Sequence, residues 1–387
     1  MTTVNRGYRI QIYPNEEQRS KLNRTFGCVR WLYNQLLNMQ NLRYETEPDA
    51  RFLGTYNLNY ILTQVKKEYP WLCEADSTAL QNVSDRITSA FRNYFDKNAR
   101  HPRFHAKKHE QKYTSKCVNN NIWVIDEHHI RLPKIGTVYY RGRMPEGTVK
   151  SAAVTLKATG KIMVSICCET EVFEKAKTHK ATGVDAGLID LAVLSDGKKF
   201  PIYRYDKELE GKLVYWQRKA AQRLLKAKEV MKNNPEKKLT DFRNYQKART
   251  LVAKYHEQIS NRRLNHLHEV TAWLVENYDV ICIEDLKTKG MLKNHRLAKA
   301  ISNASWAEFA RELAYKCEWY GKTLITVDPH YTSQTCHVCG TINSRLGLSP
   351  QKWLKIREWQ CPECSTVHDR DINAARVILN LGLIQAA

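Results

Sequence analysis

The sequence has no apolar run near the roughly 20 residues needed to span a bilayer, which argues against a helical membrane protein. Its opening stretch, MTTVNRGYRIQIYP, lacks the apolar core of a secretory signal, so a cytoplasmic protein is expected. Acidic residues are the scarce charge: 40 Asp and Glu stand against 62 Lys and Arg, a net charge of +22. Such a deficit bears on partners rather than on fold, and it points to a polyanion, with nucleic acid first. A basic protein of the membrane surface is the weaker alternative. No internal repeat or low-complexity segment is present. The eleven cysteines are odd in number and mostly scattered, which fits metal binding in a reducing compartment better than a disulfide framework.

The 387 residues leave room for roughly two to four domains. YRIQIYP alternates and stops at Pro14, as a short strand would. Helical spacing follows in Leu22, Phe26, Val29, Leu32 and Leu36, with Asn15 as an N-cap ahead of acidic residues. YNLNYILTQVKKEYPWL and STALQNVSDRITSAFRNYFDKN read as further helices, the latter with Leu80, Val83, Ile87 and Phe91 on its apolar face. From about Ala99 the pattern changes to basic loops and short strands, an all-β segment with which the first strand could pair. Two apolar strands in KATGVDAGLIDLAVLSDGKKF then flank a tight turn. A basic helical stretch runs from Lys207 to Tyr278, broken near NNPEKK. YDVICIEDL and KTLITVDP read as buried strands around the helix SWAEFARELAYKCEWYG, and INAARVILNLGLIQ closes the chain as a helix.

Two sets of residues carry chemistry. Cys336-x-x-Cys339 and Cys361-x-x-Cys364, about twenty residues apart, have the spacing of a four-thiolate zinc site, in which two tight turns each present two sulfurs to one tetrahedral ion. His337 and His368 lie nearby as competing ligands. The second set is Asp185, Glu284 and Asp371, each at an element end in a distant part of the sequence. Carboxylates converging from separate elements suit hard divalent ions such as magnesium, and two such ions can activate water and stabilise a leaving oxygen in phosphodiester cleavage. Asp190, Asp285 and Asp369 sit close to these three, and Asp371 could equally be the N-cap of the last helix.

GVDAGLIDLAVLSDG, ICIEDL, VDPHYTSQTCHVCG and CPEC…HDRDINAA resemble the RuvC and zinc-ribbon segments of the TnpB (OrfB) family, RNA-guided nucleases of insertion sequences related to type V CRISPR effectors. YRIQIYPNEEQRSKLNRTFGCVRWLYNQLL is similar to that family's opening motif, and STALQNVSDRITSAFRNYF and HPRFHAKK are also similar to family segments, so the resemblance runs through the whole chain in order. It implies a fold of α/β type plus a β-barrel and a helical lobe: an N-terminal wedge β-barrel with an inserted helical recognition bundle, then a C-terminal RNase H-like (RuvC) domain with an inserted zinc ribbon. The implied boundaries are 1–14 and 105–178 for the wedge, 15–104 for the recognition lobe, 179–333 and 367–387 for the nuclease, and 334–366 for the ribbon. Asp185 and Glu284 are similar to the first two catalytic acids. The D-x-N-A-A pattern maps onto Asp371, Asn373, Ala374 and Ala375, which favours Asp371 over Asp369 as the third.

The implied cofactors are one structural zinc, two catalytic magnesium ions and a guide RNA. The implied partners are a guide RNA from the chain's own element and complementary double-stranded DNA beside a short motif, with one chain per RNA, no membrane and a bacterial or archaeal cytoplasm near the nucleoid. Tyr56, Gln81 and Asn82 lie where motif-reading residues are expected. Arg218, Lys219, Arg262 and Arg263 belong to the basic helices expected to border the guide–target duplex. The alternatives are a non-cutting RNA-guided repressor or transposition regulator, against which the three intact acids argue, and a RuvC-like transposase or resolvase, which would not need the N-terminal half.

Overall fold

The computed structural model describes all residues except 48, 50, 296, 297, 344–355 and 387. Two compact units are present, one of residues 3–171 and the other of residues 1–2 and 172–387. Among the described residues, no helix is long and apolar enough to cross a membrane.

The first unit combines a seven-stranded sheet with three helices. Strand β1 (Thr2–Tyr13) is followed by α1 (Glu16–Thr46), α2 (Thr55–Glu68) and α3 (Ser77–Phe95), and then by β2 (Gln111–Lys116), β3 (Trp123–Val124), β4 (His129–Leu132), β5 (Gly136–Arg141), β6 (Thr148–Leu156) and β7 (Ile162–Val172). The sheet order is β2-β6-β7-β1-β5-β4-β3, so the first strand lies between strands more than a hundred residues later. Helix α1 starts in a reciprocal cap: the Asn15 side chain accepts from the Gln18 backbone N–H at 2.9 Å, and the Gln18 side chain accepts from that of Asn15 at 3.0 Å. Leu22, Phe26, Val29, Leu32 and Leu36 are buried along α1 and share one core with Ile10 and Ile12 of β1. In α3, Asp76 caps the first turn by accepting from the Ala79 N–H at 3.2 Å. Its buried face includes Leu80, Val83, Ile87 and Phe91.

The second unit is built on a five-stranded sheet formed by β8 (Ala181–Asp185), β9 (Asp190–Leu194), β10 (Lys199–Pro201), β11 (Val280–Glu284) and β12 (Thr323–Val327). The order is β10-β9-β8-β11-β12. β9 pairs antiparallel with both β10 and β8, whereas β8, β11 and β12 pair parallel with one another in turn. The parallel connections carry the helices: α4 (Tyr205–Glu208), α5 (Glu210–Asn233) and α6 (Arg243–Asn277) precede β11, and α7 (Thr288–Met291), α8 (Ala298–Ala304) and α9 (Trp306–Tyr320) precede β12. Short strands β13 (Glu358–Gln360) and β14 (Val367–Asp369) form a separate hairpin, which leads directly into the last helix, α10 (Arg370–Ala386). The hairpin thus continues to 369, past the ribbon boundary of 366 expected from the sequence, and residues 344–355 of that expected ribbon lie outside the described residues.

Two glycines let α10 lie flush on the sheet. A Cβ at Gly183, in the middle of β8, would overlap the Ala375 carbonyl and sit 2.6 Å from the Leu379 backbone nitrogen. A Cβ at Gly382 would sit 2.9 Å from the Cβ of Cys282 on β11. Because the obstacle at Gly183 is helix backbone, Gly183→Ala must push α10 away. We expect it to cost about 1–3 kcal/mol. Thermal denaturation measures this directly, and an unchanged melting temperature would mean that the helix is free to shift.

Candidate active site and metal centre

Parallel pairing places the first two acids side by side. The register joins Val280 to Ala181 and continues to Ile283 opposite Val184, so Asp185 and Glu284 are the next residues at the carboxyl ends of adjacent strands. Neighbouring strands lie about 4.8 Å apart. Asp371, in the first turn of α10, is brought to the same edge by the close packing of that helix on β8. Burial pushes the Asp185 carboxyl up to about 8, and the charges of Glu284 and then Asp371 push in the same direction. Burial also raises Glu284, opposed by the Thr332 hydroxyl, which donates to Glu284 Oε1 at 2.5 Å. Asp185 and Glu284, both with raised affinity for protons, lie beside Asp371 in a cluster that would attract cations.

The third acid and its neighbour are distinguished by their contacts. Asp369 Oδ1 accepts from the backbone N–H groups of Asp371 and Ile372, both at 3.0 Å, so it is Asp369 that caps the helix. Its other oxygen pairs with Lys199 at 2.9 Å. Asp371 is therefore not the cap, and its carboxylate is held by Arg357 at 2.9 Å and Arg370 at 2.5 Å.

The sign of the linkage at Asp185 follows from the raised pKa. Between its ordinary value of 3.8 and about 8, the folded protein holds a proton that the unfolded chain releases. The stability of the metal-free protein therefore falls as pH rises through that window. Asp185→Asn removes the cost. We expect the metal-free variant to melt about 2–4 °C above wild type at pH 8, about 1 kcal/mol for a unit of this size, and to lose the advantage near pH 4. A melting difference independent of pH would refute the linkage.

Beside this edge lie the four cysteines. The sulfurs of Cys336, Cys339, Cys361 and Cys364 all lie within 4.8 Å of one another, with Cys339–Cys361 at 3.5 Å and Cys336–Cys364 at 3.6 Å. Four thiolates about 2.3 Å from a tetrahedral zinc would be about 3.8 Å apart, so the donor set fits that ion. The two turns match bond for bond. Gly340 N–H donates to the Cys336 carbonyl at 2.9 Å, and Ser365 N–H to the Cys361 carbonyl at 3.0 Å. Cys336 N–H donates to Thr341 O and Cys361 N–H to Thr366 O, both at 2.9 Å. Neither histidine joins the set. His368 Nε2 lies 3.1 Å from Cys336 Sγ, as an outer partner to that sulfur, while His337 Nδ1 lies 2.9 Å from Asn373 Oδ1.

Asn373 joins the two sites, and its role was not apparent in the sequence beyond its place in the D-x-N-A-A pattern. It is buried in the first turns of α10, accepts from the His337 backbone N–H at 3.0 Å and donates to the Thr335 carbonyl at 2.7 Å. The first cysteine turn is thereby fastened to the helix that carries Asp371. Thr332, Arg357 and Arg370 were likewise missed, because only the folded chain brings them to the acids.

The other residues singled out from the sequence are spread over both units. Tyr56 stands 88 % exposed on α2. Gln81 is exposed and Asn82 half-buried, both near the start of α3. On α5, Arg218 is exposed, and Lys219 lies 5.7 Å from the Tyr215 ring centre. Arg262 and Arg263 are both engaged within the protein: Arg262 pairs with Glu208 at 2.8 Å, and Arg263 donates to the Ser302 carbonyl at 3.2 Å and to Asn303 Oδ1 at 2.6 Å.

A protein of Streptomyces pristinaespiralis, named "putative RNA-guided DNA endonuclease", is 33% identical over 394 aligned residues, which cover 100% of this chain and 92% of the relative. The chain belongs to the TnpB (OrfB) family. InsQ of Escherichia coli K12, of similar name, is 31% identical, covering 97% of this chain and 92% of its own. The OrfB_IS605 family, described as "Probable transposase", matches residues 165–295; its helix-turn-helix domain matches 1–48, and the Cas12f1-like TNB domain matches 306–378, which includes all four cysteines and Asp371. Among solved structures, a Cas12f1–sgRNA–target DNA complex superposes with a TM-score of 0.53 at 14% identity, covering 98% of this chain and 99% of that one. The likeness gives this TnpB-family chain an overall Cas12-like fold.

Proposed function

We propose that this chain is an RNA-guided DNA endonuclease: it binds a guide RNA transcribed from its own insertion sequence and cuts complementary DNA beside a short motif. The observation that carries the reading is the convergence of Asp185, Glu284 and Asp371 at one sheet edge, in a chain that aligns over nearly its full length with relatives named for that activity. The 3-2-1-4-5 order of the second unit's sheet, counted in chain order, supports an RNase H-like (RuvC) nuclease over residues 179–333 and 367–387. Residues 1–14 and 105–178 serve as the wedge, residues 15–104 as the recognition lobe, and 334–366 as the ribbon.

Asp185, Glu284 and Asp371 would hold two magnesium ions, whose chemistry is to activate water and to stabilise the charge leaving on the phosphodiester oxygen. The chain's own contribution is positional. Strand pairing fixes Asp185 against Glu284, Thr332 orients the Glu284 carboxylate, and Asp369 caps the helix in place of Asp371, whose carboxylate is positioned by Arg357 and Arg370. The four thiolates would hold one zinc as a structural ion. Recognition of sequence falls to base pairing, with protein contacts following the nucleic-acid backbone, as suits the net charge of +22. Tyr56, Gln81 and Asn82 are proposed to read the motif. Arg218 and Lys219 are proposed to face the guide–target duplex, with Arg262 and Arg263 bracing the same helical border from within.

Sequencing the RNA that copurifies tests this reading. RNA of one defined sequence from the end of the chain's own element is expected, released as salt is raised. Purified protein that carries no RNA and binds none at moderate salt would remove the guided reading and favour a transposase or resolvase.

A further inference from the structure

The contact at Gly183 sets how closely α10 approaches β8. Van der Waals contact is not directional, so it does not set how far along the strand the helix sits. That axial position decides the spacing of Asp371 and Asp185, since one acid rides on the helix and the other on the strand. Directional bonds must fix it.

Arg376 makes such bonds in two directions. Its Nε donates at 3.1 Å to the carbonyl of Ser195, in the turn between β9 and β10. Ser195 is in turn bound to β8. Its N–H donates to the Gly183 carbonyl at 3.0 Å, and its hydroxyl accepts from the Gly183 N–H at 3.3 Å and meets the Thr182 hydroxyl at 3.2 Å. The helix is thus tied to the residue against which its own backbone rests. In the other direction, Arg376 Nη1 lies 3.2 Å from His337 Nε2. The Asn373 Oδ1 beside His337 Nδ1, at 2.9 Å, can only accept, so Nδ1 carries the proton and Nε2 is left to accept from Arg376. One guanidinium thereby joins the first cysteine turn, α10 and the sheet. Both acceptors are neutral, and bonds from a charged donor are the stronger kind. Arg376 is itself exposed, so replacing it leaves no hole in the core.

The tie is level with the acids. Asp371 lies five residues before Arg376, about 7.5 Å along a helix axis. Asp185 lies two residues after Gly183, about 6.6 Å along a strand. The two spans nearly match, which brings the carboxylates to the same edge, where the charge of Asp371 is felt at Asp185. The Lys199–Asp369 pair also joins the sheet to the start of α10, but its side chains are 38 % and 37 % exposed, and such a pair holds position weakly.

We propose that Arg376 is a positioning residue for cleavage: by tying α10 to Ser195 it sets the distance between Asp371 and Asp185, and with it the affinity of the acid cluster for a divalent ion. The inference rests on the reading that the three acids hold magnesium, and it adds a residue outside the cluster that tunes them. A helix free to slide presents its acid at a spread of distances, and an ion must then draw the ligands together at the expense of its own binding.

The test is cutting of a guide-matched linear plasmid across a magnesium series. Alongside it is measured the rise in melting temperature that manganese, standing in for magnesium, gives the guide-RNA complex without DNA. The Asp185→Ala complex is the blank for ions held by RNA. Wild type is compared with Arg376→Gln, Arg376→Lys, Ser195→Ala and Arg376→Gln/Ser195→Ala. Arg376→Gln is expected to raise the magnesium concentration for half-maximal cutting about tenfold, and to cut at nearly the wild-type rate once magnesium saturates. It should need correspondingly more manganese for the same rise in melting temperature. Arg376→Lys, with one charged donor left, should fall between. Ser195→Ala should shift the requirement in the same direction by less, and should add little to Arg376→Gln, because both cut one tie. An unchanged magnesium requirement in Arg376→Gln refutes the proposal. So does a rate that stays low at saturating magnesium together with early melting or lost zinc, which marks a purely structural residue, and so do effects at 376 and 195 that simply add. If wild type cuts nothing at any magnesium concentration, the functional reading fails, and the manganese response of Arg376→Gln against wild type still decides the role of Arg376. If wild type cuts without a divalent ion and manganese gives it nothing beyond the blank, the magnesium reading fails and this inference with it.

Discussion

Asp185→Ala, Glu284→Ala and Asp371→Ala each reduce cleavage of a linear plasmid carrying a guide-matched target by at least about a hundredfold, while binding of RNA and matched DNA persists. The size follows from the role proposed for the cluster. Its work is charge stabilisation at the attacking and leaving oxygens, and removing one such stabilising group costs about 10²–10³ in rate. Binding survives because it rests on base pairing and backbone contacts elsewhere. Asp369→Ala behaves differently. It removes the cap of α10 and the Lys199 pair, a stability cost of about 1 kcal/mol, and cutting is retained at moderate temperature. If Asp369→Ala abolishes cutting while Asp371→Ala cuts normally, the third acid has been misplaced. If every variant cuts like wild type, the carboxylate cluster is not the active site.

The second large effect is expected at the cysteines. Cys361 is buried, and its sulfur lies 3.5 Å from that of Cys339. Cys361→Ser replaces a soft ligand with a hydroxyl. Metal analysis should fall from one zinc per chain to well below one, and the variant should lose soluble yield, since binding of a structural zinc is itself folding free energy, about 10–16 kcal/mol in small zinc peptides. The loss reaches the carboxylates, because the turn at Cys336–Cys339 is fastened to α10 through Asn373. Cleavage should therefore fall even in the fraction that remains soluble. Wild-type protein that is soluble and active without any zinc would refute the assignment.

The cysteine pairs were legible because a tetrahedral thiolate site imposes a local spacing, and local spacing survives in a linear sequence. The helices of the first unit were legible for a similar reason: Leu22 to Leu36 and Leu80 to Phe91 repeat with the helical period and stay on one buried face. Which of Asp371 and Asp369 caps the last helix could not be told from position, since both are acids at a helix start; only the two backbone N–H groups on Asp369 show it. Gly183 read as one glycine among sixteen until the backbone of α10 was found against it. The basic pair Arg262 and Arg263 looked like surface charge because sequence does not show that Glu208, Ser302 and Asn303 come to meet them.

The burial of Asp185 beside Glu284 and Asp371 has an evolutionary consequence. Because these surroundings raise the Asp185 carboxyl, the metal-free fold is less stable than the same fold with Asp185 neutralised. Loss of the Asp185 charge, which would end cutting, is therefore favoured by folding. Lineages in which cleavage brings no benefit should drift towards descendants that bind without cutting, and only continued selection for cleavage holds all three acids together.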